Sequence, residues 1–148
     1  GAVGADAVPA IVEALGNSDN VTVRGSCAKA LAQVALNYPD RPFPELGLQG
    51  LKQSLNDPNP VVNIASAMAL GEIGDAALEI LLETLQTTDN VALAVSIVNA
   101  LASVGGEQAV EVLTALCQDD ATDRYVQETA TSALSRMEMV QKYSRPDS

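Results

Sequence analysis

Apolar residues recur along this chain at the spacing of amphipathic helices. Val8, Ile11 and Leu15 fall on one helical face, and Leu78 and Leu85 repeat the pattern further on. Short polar turns rich in Asn, Asp, Gly and Pro separate these segments. The pattern predicts four antiparallel helix pairs. We expect first helices over 6–16, 45–56, 76–87 and 107–118, and second helices over 21–36, 60–73, 91–104 and 124–139.

An internal repeat joins these pairs into one architecture. In each unit an aliphatic residue follows the turn, and an Ala-Leu dipeptide follows it at the same offset every time. Units of about thirty residues cannot bury their apolar face alone and must stack on neighbours. The sequence therefore predicts an all-α, right-handed α-solenoid of about four repeats. The dipeptides are Ala30-Leu31, Ala69-Leu70, Ala100-Leu101 and Ala133-Leu134, preceded by Val23, Val62, Leu93 and Val126.

The repeat also predicts how a single domain over 1–148 is divided. Gly4 stands as far before Leu15 as Gly74 stands before Leu85, so the chain is expected to begin at the end of an earlier repeat, with at least one unit upstream. The alternative is that the first residues are a cloning remnant. The predicted divisions are 1–4 (end of a preceding repeat), 5–36, 45–74, 75–106 and 107–139 (repeats), 37–44 (a proline-rich insertion) and 140–148 (a tail).

Composition narrows the class of protein. Aromatic residues make up only 3% of a chain that is 47% hydrophobic, which favours closely packed helices over a sheet sandwich. No segment is long and apolar enough for membrane insertion, and no signal peptide opens the chain. Two distant cysteines give no disulfide framework, so we expect a reducing, cytoplasmic location.

The charge distribution bears on the partner. The net charge is −11, and no basic residue lies between Lys52 and Arg124, where the chain is repeatedly acidic. Such a surface repels phosphate backbones and anionic lipid, which argues against nucleic acid. It favours another protein, with a basic surface.

Catalytic chemistry is not expected. The chain has no histidine, no Cys-x-x-Cys, no phosphate-binding loop and no nucleophile elbow. Acidic pairs such as Glu79/Glu83 are interpreted as a solvated helix face. Cys27 aligns with small or apolar residues and is predicted to be a buried thiol. Cys117 ends a first helix and is a candidate thiol ligand, but no metal site is predicted.

Three stretches, 20–31, 57–62 and 69–74, resemble HEAT repeats in the short form of cyanobacterial phycobilisome-lyase-like proteins. The resemblance implies a binding role rather than a chemistry. Within that family it implies a partner of the A-type iron–sulfur scaffold IscA or of phycobilisome components. The family often places an arginine after the repeated aliphatic residue. Here Arg24 alone fills this position, with Asn63, Ala94 and Gln127 at the others.

Two candidate binding surfaces follow. In HEAT solenoids the second helices line the concave face, so their non-core residues should meet a partner, around an apolar centre. Alternatively, helix curvature or further repeats bury them. The proline-rich insertion carries interface-type residues, of which Phe43 is alternatively a core plug. The concave-face candidates are Arg24, Lys29, Asn63, Ile64, Met68, Val95, Asn99 and Gln127, and the loop candidates are Tyr38, Arg41 and Phe43.

The leading functional hypothesis is a non-catalytic protein-binding scaffold with no cofactor. The alternative is a subunit of a phycobilin lyase or a chromophore-detachment factor, with a bilin or a shared iron–sulfur cluster as ligand. A small-molecule ligand is otherwise not expected, and no lyase catalytic residue can be matched. A third hypothesis is self-association through an uncapped N-terminal end.

Overall fold

A computed structural model describes residues 7–38, 40 and 42–144, with side chains described up to Glu138. Over this part of the chain the structure is all-helical and contains no strand, as predicted. One short 3-10 helix, Asp75–Ala77, precedes the fifth helix. The helices are α1 Val8–Asn17, α2 Val21–Asn37, α3 Glu45–Ser54, α4 Pro60–Ile73, α5 Leu78–Thr87, α6 Val91–Val104, α7 Glu107–Gln118 and α8 Arg124–Ser144.

The helix bounds follow the hydrophobic pattern closely. The four second helices, α2, α4, α6 and α8, begin at the residues that the pattern predicts. The largest difference is at the end of α8, which continues to Ser144, although a tail was expected from residue 140. The division into repeats stays a prediction, and residues 1–4 lie outside the described part.

The starts of the second helices are fixed by side chains in the turns. Each is preceded by an Asn or Asp whose carbonyl or carboxylate oxygen accepts a backbone N–H of the first turn, which satisfies a donor that the helix itself cannot use. The capping pairs are Asn20 Oδ1 with Thr22 N at 2.9 Å, Asn59 Oδ1 with Val61 N at 2.9 Å, Asn90 Oδ1 with Leu93 N at 3.1 Å, and Asp123 Oδ1 with Tyr125 N at 2.8 Å.

Two glycines end second helices. Gly74 follows α4 with φ 93° and Gly105 follows α6 with φ 73°. Residues with a Cβ rarely adopt such positive φ values, so glycine suits these positions. The predicted role of both glycines at helix ends is confirmed.

The second helices form one layer in chain order. Helix α2 packs on α4, α4 on α6 and α6 on α8, while the first helices pack beside their own partners. The leucines of the first three Ala-Leu dipeptides are fully buried in this stack. Gly71 allows the closest approach between α4 and α6, because a Cβ there would lie 2.9 Å from the Cα of Ala100. The core is therefore continuous along the solenoid.

One predicted core position is wrong. Val23 is 39% exposed, whereas its equivalents Val62, Leu93 and Val126 are buried. Helix α2 has an inner-layer neighbour on one side only within the described part of the chain, namely α4. Val23 thus lacks the neighbouring helix that covers its equivalents.

Candidate functional site

An apolar groove lies between α2 and α4. It has a volume of about 630 Å³, and Val61, Ile64 and Met68 line its α4 side. Met68 is 58% exposed and Val61 56% exposed. Large apolar side chains clustered in a concavity are unfavourable in water and typical of binding sites. This groove brings together two of the predicted concave-face residues, Ile64 and Met68.

Opposite charges stand on the two walls of this groove. Lys29 and Gln33 contribute from α2, and Glu72 contributes from α4. The ion pairs of the described residues involve neither Lys29 nor Glu72. Both charged groups are therefore available to a ligand that carries the complementary charges.

The groove continues across the inner layer. Met68 and Glu72 also border a cleft of about 240 Å³ between α4 and α6. Asn99 of α6 lines this cleft and a further one of about 260 Å³ between α6 and α8. We call the three concavities together the furrow; it is lined by Lys29, Gln33, Val61, Ile64, Met68 and Glu72, then Ser96, Asn99 and Ser103, then Tyr125, Glu128, Thr129, Ser132 and Arg136.

Arg24 has a structural task outside the furrow. Its side chain is only 16% exposed, and its Nε lies 3.0 Å from Oδ2 of Asp57. Its Nη1 also donates to the main-chain oxygen of Ser18 at 2.7 Å. Because the guanidinium holds two successive turns, the prediction that Arg24 faces a partner is not supported by its placement.

The equivalent positions in other repeats do similar work. Asn63 is buried, which contradicts its predicted place on an exposed face, and its Nδ2 donates to the main-chain oxygen of Asp57 at 3.0 Å. Gln127 donates to the main-chain oxygen of Asp119 at 2.7 Å. A polar side chain at this position satisfies a turn carbonyl that the helices leave unpaired. Ala94 occupies the position in the third repeat and is buried.

The remaining concave-face candidates divide. Val95 is half-buried and packs against the core. Asn99 lies in the furrow, where its Oδ1 accepts from Nη2 of Arg136 at 2.8 Å. Lys29, Ile64, Met68 and Asn99 are thus the predicted residues that the fold brings to one surface.

The loop candidates pack inward. Phe43 and Tyr38 are half-buried against the core. A Cβ on Gly47 would lie 2.5 Å from Cε1 of Phe43, so the ring rests directly on helix α3. This contact fits the alternative that Phe43 plugs the core. Arg41 lies outside the described residues.

The cysteines are not arranged as a metal site. Sγ of Cys117 lies 3.3 Å from Oγ1 of Thr131. Burial raises the pKa of the Cys27 thiol, which is half-buried rather than fully buried as predicted. Among the described residues, no three His, Cys, Asp or Glu side chains come close enough to hold a metal ion.

Some furrow residues escaped the sequence prediction. Gln33, Glu72, Ser103 and Arg136 each lie one helical turn after a position that the sequence had pointed to, at i+4. Residues four apart share a helix face, so extending the candidate list by one turn would have found them. Tyr125, which is 64% exposed, lies at the start of α8 and carried no such signal.

Within the described residues, no helix has the length and apolarity needed to cross a membrane.

Comparison with known proteins gives two kinds of match. A family model described as HEAT repeats matches residues 48–135. The chain is 59% identical over 145 residues to an uncharacterized phycocyanin operon protein Z of Pseudanabaena tenuis (strain PCC 7409), covering 98% of this chain and 72% of that protein. It is 34% identical over 125 residues to the bilin biosynthesis protein CpeZ of Synechococcus sp. (strain WH8020), covering 80% of this chain and 67% of that protein.

Proposed function

The chain belongs to the HEAT-repeat family, and we propose that it serves bilin biosynthesis as a non-catalytic, protein-binding subunit. The similarity to the protein named for bilin biosynthesis carries this proposal, because it extends over 80% of the chain. The other relative is named for a phycocyanin operon, which suggests a phycocyanin subunit as the bound protein.

The furrow supports a binding role in this process. Its α2/α4 end is apolar around Val61, Ile64 and Met68, and its borders are polar or charged. An apolar centre with a polar rim is the usual anatomy of a protein-binding patch, and the flexible thioether of methionine adapts to different surfaces. The subunit would hold its partner while another protein performs the chemistry.

Reconstituted bilin attachment tests the proposal. Phycocyanin subunits and bilin-producing enzymes would be co-expressed with a bilin lyase, with and without this chain. Covalently attached bilin would be measured by zinc-enhanced fluorescence on denaturing gels. We expect several-fold less attached bilin without the chain, and none beyond the spontaneous level when the chain replaces the lyase. Equal attachment with and without the chain would contradict the proposal.

A second candidate function is direct contact with the bilin. A linear tetrapyrrole carries propionates and pyrrole N–H groups on an apolar frame, so it needs a cation, a carboxylate and an apolar floor. Lys29, Glu72 and Met68 supply these three features in one groove. The volume of about 630 Å³ falls in the range of small-molecule sites. A red-shifted, sharpened absorbance band on mixing with biliverdin, lost in Lys29→Ala, would support this candidate.

The iron–sulfur hypothesis stays a prediction. Cys117 is the one thiol that could contribute to a shared cluster, and its Sγ contacts Thr131. Capture of an A-type scaffold by the wild-type chain but not by Cys117→Ser would support it.

A further inference from the structure

The furrow crosses all four inner helices, and its lining changes along its length. It begins apolar at α2/α4, becomes rich in hydroxyl and amide groups at α4/α6, and ends beside Tyr125 and Arg136 at α6/α8. A surface that complemented a folded partner's helix would be apolar throughout its length. This lining suits a chain that presents one apolar side chain and then its own main chain.

The central cleft offers hydrogen-bonding groups of fixed polarity. Because the guanidinium of Arg136 can only donate, the Asn99 amide must turn its oxygen toward Arg136 and keep its N–H groups for another acceptor. Ser96 and Ser103 donate their hydroxyl hydrogens to main-chain oxygens of α6 at 3.1 and 3.3 Å. Their hydroxyl oxygens remain able to accept.

These three side chains match an extended main chain. Ser96, Asn99 and Ser103 lie at i, i+3 and i+7 of α6, so they share one helix face. One amide donor between two hydroxyl acceptors is complementary to a peptide C=O flanked by N–H groups. Neighbouring helices lie about 8–10 Å apart, so crossing from α2 to α8 needs roughly 27 Å, or about eight to nine extended residues.

Resting on the proposed function, we propose that the furrow binds an extended peptide segment of the partner protein. A large apolar side chain of that segment enters the α2/α4 groove against Ile64 and Met68. Lys29 on the α2 wall and Glu72 on the α4 wall select an acidic residue before this anchor and a basic residue within about two positions after it. The main chain then crosses α6 on Ser96, Asn99 and Ser103.

A display experiment identifies the preferred segment. A phage library of random nine-residue peptides would be selected on the full chain, and recovered peptides would be synthesised with a fluorescent label. Binding would be measured by fluorescence anisotropy. We expect recovered sequences to share an acidic-apolar-basic pattern without helical periodicity.

Two variants and one control locate the site. Met68→Glu removes the apolar anchor contact, and Asn99→Asp keeps an oxygen for Arg136 while replacing the amide donor by an acceptor. Each should weaken binding about tenfold or more. Asn99→Asp adds negative charge, which would by itself favour a basic peptide, so a loss must come from the donor. The control is Leu46→Glu, which alters an exposed leucine on α3 outside the furrow and should bind like the wild type.

Several outcomes would overturn the inference. These are no enriched sequence, enriched peptides that bind Met68→Glu and Asn99→Asp as well as the wild type, or a helical spacing of apolar residues. Concentration-dependent self-association lost in Met68→Glu would make a second copy the occupant. Biliverdin binding lost in Met68→Glu, with no peptide enriched, would make the occupant a tetrapyrrole. If attachment of bilin still depends on the chain in these cases, the proposed function stands and only the peptide inference fails.

Discussion

Arg24 and Asp57 connect two successive turns of the solenoid through their side chains. The Nε of Arg24 donates to Oδ2 of Asp57 at 3.0 Å, with both side chains mostly shielded from solvent. Oδ1 of Asp57 also accepts the main-chain N–H of Asn59 at 2.9 Å, so the carboxylate orders the turn that begins α4. The pair therefore holds the spacing between the first two repeats.

Removing the guanidinium should destabilise the protein. In Arg24→Ala the carboxylate of Asp57 and the carbonyl of Ser18 lose their donor in a partly buried setting, so we expect the free energy of unfolding to fall by about 2–3 kcal/mol. Urea denaturation followed by circular dichroism measures this. Arg124→Ala is the matched control, because the Arg124–Glu128 pair is largely exposed and should contribute less than about 0.5 kcal/mol. Equal losses in the two variants would contradict a structural role of Arg24.

Adding a methyl group at Gly71 should disrupt the α4/α6 contact. A Cβ there would meet backbone atoms of Ala100 at 2.9 and 3.2 Å, and backbone cannot yield as a flexible side chain can. We expect Gly71→Ala to lower the free energy of unfolding by about 1–3 kcal/mol. In Gly16→Ala the new Cβ meets nothing within 4 Å, so greater helix propensity should leave stability unchanged or raise it by up to about 1 kcal/mol. Thermal melts of both variants would measure the difference.

A charge in the groove should separate binding from folding. Met68 is 58% exposed, so Met68→Glu should keep the helicity and shift the free energy of unfolding by less than about 0.5 kcal/mol while abolishing partner capture. Ile64 is half-buried, and Ile64→Glu should also destabilise the fold. Pull-down from a cyanobacterial lysate beside thermal melts tests both. Undiminished capture by Met68→Glu would place the binding surface elsewhere.

Ionisation of Cys27 should make stability fall in alkaline solution. Burial raises the pKa of the folded thiol above its ordinary 9.0, so the unfolded chain loses this proton first as the pH rises. The stability contribution is complete below about pH 9 and is lost from there up to the folded pKa. Urea midpoints of wild type and Cys27→Ala should therefore converge or cross above pH 9, after a constant difference below it. A difference that stays constant to pH 10.5 would refute the shift.

The sequence predicted the helices well because their signals are local. Turn residues such as Asn20 and Asn59 cap the helices that follow them, and Gly74 adopts the positive φ that ends α4. These features depend on a few neighbouring residues, so they can be recognised from spacing alone. The repeated Ala-Leu dipeptides then indicated how the pairs stack.

The candidate surface was predicted less well because exposure depends on neighbours in space. Arg24 and Asn63 looked available on a helical wheel, yet both turn back to satisfy carbonyls of the turns. Val23 follows the same repeat rule as Val62 but lacks a covering helix. Glu72 contributes to the furrow only because α2 and α4 pack side by side. Such relations are set by packing between helices, not by the pattern within one.

The layer of inner helices has a mechanical consequence. Because α2 and α8 each have a single inner-layer neighbour while α4 and α6 have two, the stack should open from its ends, and amide exchange should be slowest in α4 and α6. A ligand lying along the furrow would touch all four helices at once. It would act as a strap across a row of hinges, so that opening α2 would require releasing the ligand as well.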